Sequence, residues 1–368
     1  MRNRIFFFFL ITILPFIGCS RKTTPEEPLG NTSVGTPAQS LAEFEDTVER
    51  IRSDLKIPGL SAAITNKGKI VWAKGFGFAD RESGTSATPD TVYHLASLTK
   101  PFAAVIVMQL VEEGKLDIED PIANYGVNIS SPGIIKVKHL LSHTSEGVPG
   151  TSYHYSGNRF SYLDDIIPAA AGETFCELLN EKILLPLHLD LTGPYPQSPT
   201  NCLINDPRST QLAVQLAQGY SPNGQHEMSY QTYFGTAAGL VSSVIDISRF
   251  SIALDDDLLL LPESKELMFT PSQSNSGHEL PYGLGWFIDN NEGLKIIWHY
   301  GFWDAVSSLI LKVSERELAF IIVANSDRLS SASPGIGSDE DVNCSVAAQE
   351  FLNAFVFGTA QLPDVPIR

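Results

Sequence analysis

Strand-forming segments lie at both ends of this chain and helical segments lie between them, which sharply limits the folds open to it. Residues 59–65 and 69–76 are rich in Ile, Val, Ala and aromatic residues, and Asn66-Lys67-Gly68 between them is a hairpin signal. Four further stretches, 282–289, 294–299, 305–313 and 317–325, read as successive strands. Residues 98–113 carry a long helical pattern stopped by Gly114, and 115–240 reads as mostly helix and loop. Helical spacing also marks Leu41–Leu55 and Ala347–Phe357. The simplest packing is an α/β domain over residues 41–360, followed by a tail at 361–368. Its antiparallel sheet is built from both chain ends and flanked by helices, with a mostly helical region inserted. Hydrophobic residues make up 43% of the 368, enough to bury a sizeable core. Residues 328–342, rich in Ser, Gly and Asp, read as a mobile loop.

The N-terminus carries a separate signal. Met1-Arg2-Asn3-Arg4 is a short basic region, and an apolar run follows from Ile5 to Ile17. That run is shorter than the about 20 residues needed to cross a bilayer, and it reads as a secretory leader over residues 1–18. Phe16-Ile17-Gly18-Cys19 resembles a bacterial lipobox, which implies a lipidated Cys19 and an extracytoplasmic, membrane-anchored chain. Residues 20–40 are poor in large apolar side chains and read as a tether. Of the other cysteines, Cys176 in its apolar helical stretch reads as a buried small hydrophobe. An oxidising compartment would allow two of Cys176, Cys202 and Cys344 to pair, and their spacing does not select which. The net charge of −17 argues against nucleic-acid binding. No spacing of histidines, cysteines or carboxylates matches a metal site, and no glycine-rich phosphate loop is present, so neither metal nor cofactor is expected.

The candidate chemistry centres on Ser97-Leu98-Thr99-Lys100. Serine is a weak nucleophile until a neighbour takes its proton. A lysine three residues on lies one turn later on the same helical face, and burial can bring its amine toward neutrality. Backbone N–H groups at a helix start favour developing negative charge. The tetrapeptide alone is weak evidence, because Ser53-Asp54-Leu55-Lys56 has the same spacing.

The surroundings of Ser97 are more specific. Pro58-Gly59-Leu60-Ser61, Gly75-Phe76-Gly77-Phe78-Ala79-Asp80 and Glu113-Gly114-Lys115-Leu116-Asp117 occur around it in order. His139-Leu140-Leu141-Ser142-His143-Thr144-Ser145, Pro186-Leu187 and Tyr282-Gly283-Leu284-Gly285-Trp286 follow. Together they resemble the serine β-lactamase and penicillin-binding-protein-like superfamily, in the branch of class C β-lactamases, D-aminopeptidases, DD-peptidases and esterases. The resemblance covers roughly residues 45–325. It implies a β-lactamase/transpeptidase-like fold and a serine hydrolase cleaving esters or amides through an acyl-enzyme on Ser97. The substrates implied are small molecules or short peptides, among them those of D-amino-acid or cell-wall type.

The family's Tyr-x-Asn motif falls on Tyr155-Ser156-Gly157, with Tyr153 as the nearest rival. Tyr155, as a phenolate, and Lys100 would share the base role. Gly157 stands where Asn is usual, and Asn158 is the nearest amide that could substitute for it. The third motif falls on His299-Tyr300-Gly301. His299 would orient substrate, Gly301 would let substrate approach the strand edge, and the Phe302 and Ser97 N–H groups would form an oxyanion hole. A histidine in place of lysine weakens the selection for an anionic group such as a β-lactam carboxylate. His139 and His143 read as structural. Gly157, together with His188 at a usual Gly, keeps open a catalytically impaired penicillin-binding-like or sensory protein. A class C-like β-lactamase is the other alternative.

Overall fold

The computed structural model describes residues 40–332, 341–363 and 366–367. The leader, Cys19 and most of the tether lie outside the described residues, as do 333–340 of the expected mobile loop. Within that loop, Arg328–Ser331 is a helical turn.

A helix, Leu41–Asp54, opens the described chain. Ser40 caps it by accepting the Glu43 N–H at 3.2 Å, and Phe44, Thr47, Val48 and Ile51 bury one face at helical spacing. The hairpin β1 (Gly59–Asn66) and β2 (Lys69–Asp80) follows, then the short β3 (Thr85–Ser86). Four short strands sit inside the helical region: β4 (Tyr93–His94), β5 (Gly193–Pro194), β6 (Gly219–Tyr220) and β7 (Glu227–Met228). A fifth short strand, β8 (Leu240–Ser242), precedes the C-terminal strands β9 (Phe287–Asn291), β10 (Leu294–Trp303), β11 (Val306–Val313) and β12 (Leu318–Ala324).

The main sheet is antiparallel, in the order β3-β2-β1-β12-β11-β10-β9. Its centre joins the two chain ends, with β1 against β12 from Leu60↔Ala324 to Asn66↔Leu318. Strand alternation buries both faces. In β12, Ala319, Ile321 and Val323 enter the core shared with the inserted helices. Phe320, Ile322 and Ala324 enter a second core under the N- and C-terminal helices. There the ring of Phe320 lies 5.7 Å from Phe44 and 4.9 Å from Phe351.

Several boundaries differ from the sequence reading. Residues 282–286 are not strand, because Gly285 is left-handed (φ 82°) and turns the chain before β9. The C-terminal helix, Val346–Phe351, continues as a π turn over Leu352–Val356. Within the expected tail, Leu362 packs on the second core, and the Ile367 N–H donates to the Ile70 carbonyl at 3.0 Å. His188 lies at φ 50°, which explains why glycine is usual there. Among the described residues, no helix is long and apolar enough to cross a membrane.

Cys176 is more than a small hydrophobe: it forms a disulfide with Cys202 across 26 residues. Closing a loop of that size stabilises by about 3–4 kcal/mol in the chain-entropy account. Reduction is therefore expected to lower the calorimetric Tm by roughly 5 °C, and a Cys202→Ser variant should show the lower Tm without reductant.

Candidate active site

Ser97 lies in a 3-10 turn, Ala96–Thr99, that runs directly into the helix Lys100–Glu112. Phe102, Ala103, Ala104, Val105, Ile106, Val107 and Met108 are all buried, so this helix threads the first core and carries Lys100 in with it. The rival Ser53 and its Lys56 are both exposed at the end of the N-terminal helix, with no such environment.

The turn before Ser97 has an uncommon shape. Ala96 sits at φ 48°, a region that costs a non-glycine residue about 1–2 kcal/mol. Its neighbours hold it there. The Ala96 N–H donates to His94 Nδ1 at 3.0 Å, and the Thr99 hydroxyl donates to the Ala96 carbonyl at 2.7 Å. The Ser308 hydroxyl donates to the Leu95 carbonyl at 2.8 Å. A Cβ on Gly301 would stand 2.0 Å from that carbonyl oxygen and 2.3 Å from Ser308 Oγ. Gly301 therefore admits the nucleophile's own turn against β10, a requirement separate from the expected approach of substrate.

Lys100 is fully buried, with Nζ 2.9 Å from Ser97 Oγ and 2.9 Å from the Ala237 carbonyl oxygen. Burial lowers its pKa to about 7. The rings of Tyr155 and Phe160 lie 5.0 and 5.5 Å from Nζ and favour the cation weakly, and desolvation outweighs them. When charged, Nζ donates to Ser97. When neutral, its lone pair accepts the Ser97 hydroxyl proton and one N–H still serves Ala237.

Tyr155 is the tyrosine beside Lys100, whereas Tyr153 packs against Tyr282 and Phe287. Tyr155 was expected to act as a phenolate, and its burial favours the neutral phenol. Burial, seconded by Tyr300, drives the Tyr155 pKa well above 10, and Ser97 offsets this only in part. The Tyr155 hydroxyl is buried without a hydrogen-bond partner of good geometry. It is thus a neutral group facing Ser97, able to pass a proton or donate a hydrogen bond, while Lys100 is the group poised to accept one. Tyr155→Phe is therefore expected to lower kcat by about tenfold rather than abolish turnover, as steady-state ester hydrolysis would show. A total loss would restore the phenolate role.

His299 also departs from expectation. It is fully buried and both ring nitrogens are occupied: Nδ1–H donates to the Tyr300 carbonyl at 2.7 Å, and Nε2 accepts from the Tyr282 hydroxyl at 2.8 Å. Burial, then Lys100, pushes its pKa well below 6.5, so it is neutral. It braces β10 beneath the site and offers substrate no free nitrogen. His143, read as structural, braces the other side. Its ring lies 4.3 Å from that of Tyr155, and its Nδ1 accepts the Ser156 N–H at 3.2 Å.

A cavity of about 310 Å³ opens on Ser97 and Lys100, with Asn158, Tyr233, Phe302 and Trp303 among its walls. Asn158 and Phe302, both expected at the substrate site, line this cavity. β9 leaves β10 at Trp298, so residues 299–303 have β11 on one side and, among the described residues, no strand on the other. A larger cavity, about 410 Å³, lies at the opposite end of β10 among Asp255, Asp256, Glu315 and Glu317. Sequence reasoning missed Ala237, Tyr233, Trp303 and His94. Trp303, two residues beyond Gly301, and His94, three before Ser97, had a nearby signal.

The Beta-lactamase family profile matches residues 44–336. The chain belongs to the Beta-lactamase family, and is in that general sense a serine hydrolase. It is 26% identical over 350 residues to penicillin-binding protein 4* of Bacillus subtilis, covering 82% of this chain and 72% of that one. It is 25% identical over 328 residues to protein flp of Staphylococcus aureus, covering 78% of this chain and 63% of that one. Among solved structures, an octameric penicillin-binding protein homologue from Pyrococcus abyssi matches with TM-score 0.69 at 24% identity, over 78% of this chain and 74% of that one. A D-stereospecific amidohydrolase from Streptomyces sp. matches with TM-score 0.61 at 21% identity, over 79% and 95%. These structural likenesses establish the β-lactamase/transpeptidase-like α/β fold.

Proposed function

We propose that this chain hydrolyses esters or amides of uncharged acyl groups through an acyl-enzyme on Ser97. The observation that carries the reading is the 2.9 Å contact between Ser97 Oγ and a buried Lys100 Nζ at the base of an open cavity. In the acylation step Ser97 Oγ bonds to the substrate carbonyl carbon and its proton passes to Lys100 Nζ. The leaving group departs with that proton, directly or through Tyr155, and water then cleaves the acyl-enzyme. The N–H groups of Ser97 and Phe302 would receive the oxyanion.

The cavity wall favours an uncharged acyl group. Tyr233, Phe302 and Trp303 supply aromatic surface, and among the described lining residues Lys100 is the one lysine or arginine. Its amine is committed to Ser97 and Ala237, so a substrate carboxylate finds no cation there. N-acylated D-amino-acid esters and amides, or uncharged cell-wall fragments, fit this chemistry. The leader-like N-terminus with Cys19, and the Cys176–Cys202 disulfide, support an envelope location. Treatment with a fluorophosphonate followed by intact-mass analysis tests the reading. One adduct on Ser97 is expected, and none at high reagent excess would overturn it.

The impaired reading rests on Gly157 and His188, and His188 lines no part of the cavity. The β-lactamase reading turns on Gly157. A Cβ there would meet nothing within 4 Å, so Gly157→Asn is sterically free to place an amide in the cavity. One new hydrogen bond of about 1–1.5 kcal/mol corresponds to roughly tenfold faster acylation by a β-lactam. Stopped-flow nitrocefin kinetics would register that gain.

A further inference from the structure

The cavity wall opposite β10 is an irregular segment, residues 233–238, tied to itself by the Gly235–Ala238 bridge. It supplies Tyr233, Ala237 and Ala238 to the cavity and the carbonyl that receives Lys100 Nζ. A segment without a ladder needs other anchors to hold a carbonyl in place. The Thr200 hydroxyl donates to the Phe234 carbonyl at 2.8 Å, and two further anchors come from one carboxylate on another element. Asp164, in the first turn of the helix Leu163–Ala171, accepts the Thr236 N–H at 2.6 Å through Oδ1 and the Tyr233 hydroxyl at 2.8 Å through Oδ2. The Thr236 hydroxyl adds a longer bond to the Phe160 carbonyl at 3.4 Å. The segment lies directly on the carboxylate: a Cβ on Gly235 would stand 2.4 Å from Asp164 Oδ2.

Asp164 has no ion-pair partner among the described residues. Its charge is met by donors from the segment it holds and by the N-terminal end of its own helix. A partly buried carboxylate spent on two bonds to a single loop is a costly arrangement that a surface acid would not need. Burial raises its pKa, and the Thr236 and Tyr233 bonds oppose that rise.

We propose that Asp164 is a positioning residue for catalysis, clamping residues 233–238 so that the Ala237 carbonyl keeps Lys100 Nζ dry and aligned on Ser97. It touches no reacting atom and acts through Tyr233, Thr236 and Ala237. The inference rests on the reading of Ser97 as nucleophile and Lys100 as base. With the clamp removed, the segment retreats, water reaches Nζ, and the amine titrates closer to an ordinary lysine. The other titratable groups facing Lys100 are Tyr155, from the segment before helix Gly157–Phe160, His143 after helix Val137–Leu141, and His299 on β10. All three are neutral at pH 7, and Asp164 itself faces Asp165 and Tyr233. The ascending limb of the pH profile therefore reports Lys100.

The test is the pH profile of fluorophosphonate labelling, read by intact mass, in wild type, Asp164→Ala and Asp164→Asn. Asparagine can still accept the Thr236 N–H and bond to the Tyr233 oxygen, so it should rescue. Asp164→Ala is expected to label 10- to 100-fold more slowly at pH 7, with the midpoint moved up by about one pH unit. Asp164→Asn should stay within threefold of wild type with its midpoint unmoved. Tyr233→Phe removes one of the two bonds and should shift the midpoint by a smaller amount, which serves if Asp164→Ala does not fold. Slower labelling with an unmoved midpoint in both Asp164→Ala and Tyr233→Phe would overturn the clamp and leave a structural role. Wild type that does not label at all would instead defeat the reading of Ser97, so the two failures are distinguishable.

Discussion

Ser97→Ala is expected to abolish the fluorophosphonate adduct and to lower kcat for ester hydrolysis by about 10⁴-fold or more. The loss should be this large because a nucleophile and its base act as one unit, and removing either removes the covalent route. The cavity holds one other serine, Ser161, which donates to the Asn158 carbonyl at 3.0 Å and has no lysine on it. It cannot take over at a comparable rate. The protein should remain folded, since alanine fits the half-buried 3-10 turn and the bonds that fix Ala96 come from His94 and Thr99. Intact mass, ester turnover and a melting curve on one preparation separate these effects. Wild-type turnover in the variant, or an adduct on Ser161, would refute the assignment.

Lys100→Met should also be inactive, by about 10³-fold or more, and yet more stable than wild type at neutral pH. The sign follows from linkage. The folded-state pKa of Lys100 is lowered from 10.5 to about 7 by burial. Between those values the unfolded chain binds the proton and the folded chain does not. Burying this lysine therefore destabilises the fold fully below about pH 7, and the penalty fades as pH rises toward 10.5. The penalty is of order 4 kcal/mol at pH 7. The bonds to Ser97 and Ala237 and the two ring contacts recover part of it. Methionine has similar length and no charge, so a net gain of roughly 2 kcal/mol is expected at pH 7, shrinking toward pH 10. Urea unfolding at the two pH values checks it, and a variant less stable than wild type at pH 7 would contradict the depressed pKa. In wild type, the same titration makes reactivity rise with pH through about 7, because the neutral amine is the base.

Much of this was legible in the chain itself. Strand segments at both ends were legible as parts of one sheet, and β1 and β12, each buried on both faces, meet at its centre. The helical spacing of Ser97 and Lys100 puts both on one face wherever the helix goes, because that spacing is a property of the helix. The 98–113 pattern was legible as a helix, and the fold shows it buried, carrying Lys100 in with it. Tyr155 was identifiable by its place in an ordered set of motifs, ahead of Tyr153.

The protonation states and the division of labour were decided by tertiary structure. Lys100 is deprotonated near neutrality because groups far apart in the chain exclude water from it, among them the Ala237 carbonyl, 137 residues away. The same exclusion favours the protonated form of Tyr155. His299 faces inward because Tyr282 hydrogen-bonds it there, which no spacing within His299-Tyr300-Gly301 reveals. Gly301 is small because the Leu95 carbonyl arrives against it from the other end of the site. Local sequence records which face a side chain occupies. Desolvation and close approach are sums over neighbours brought together from every part of the chain, so they exist only once it has folded.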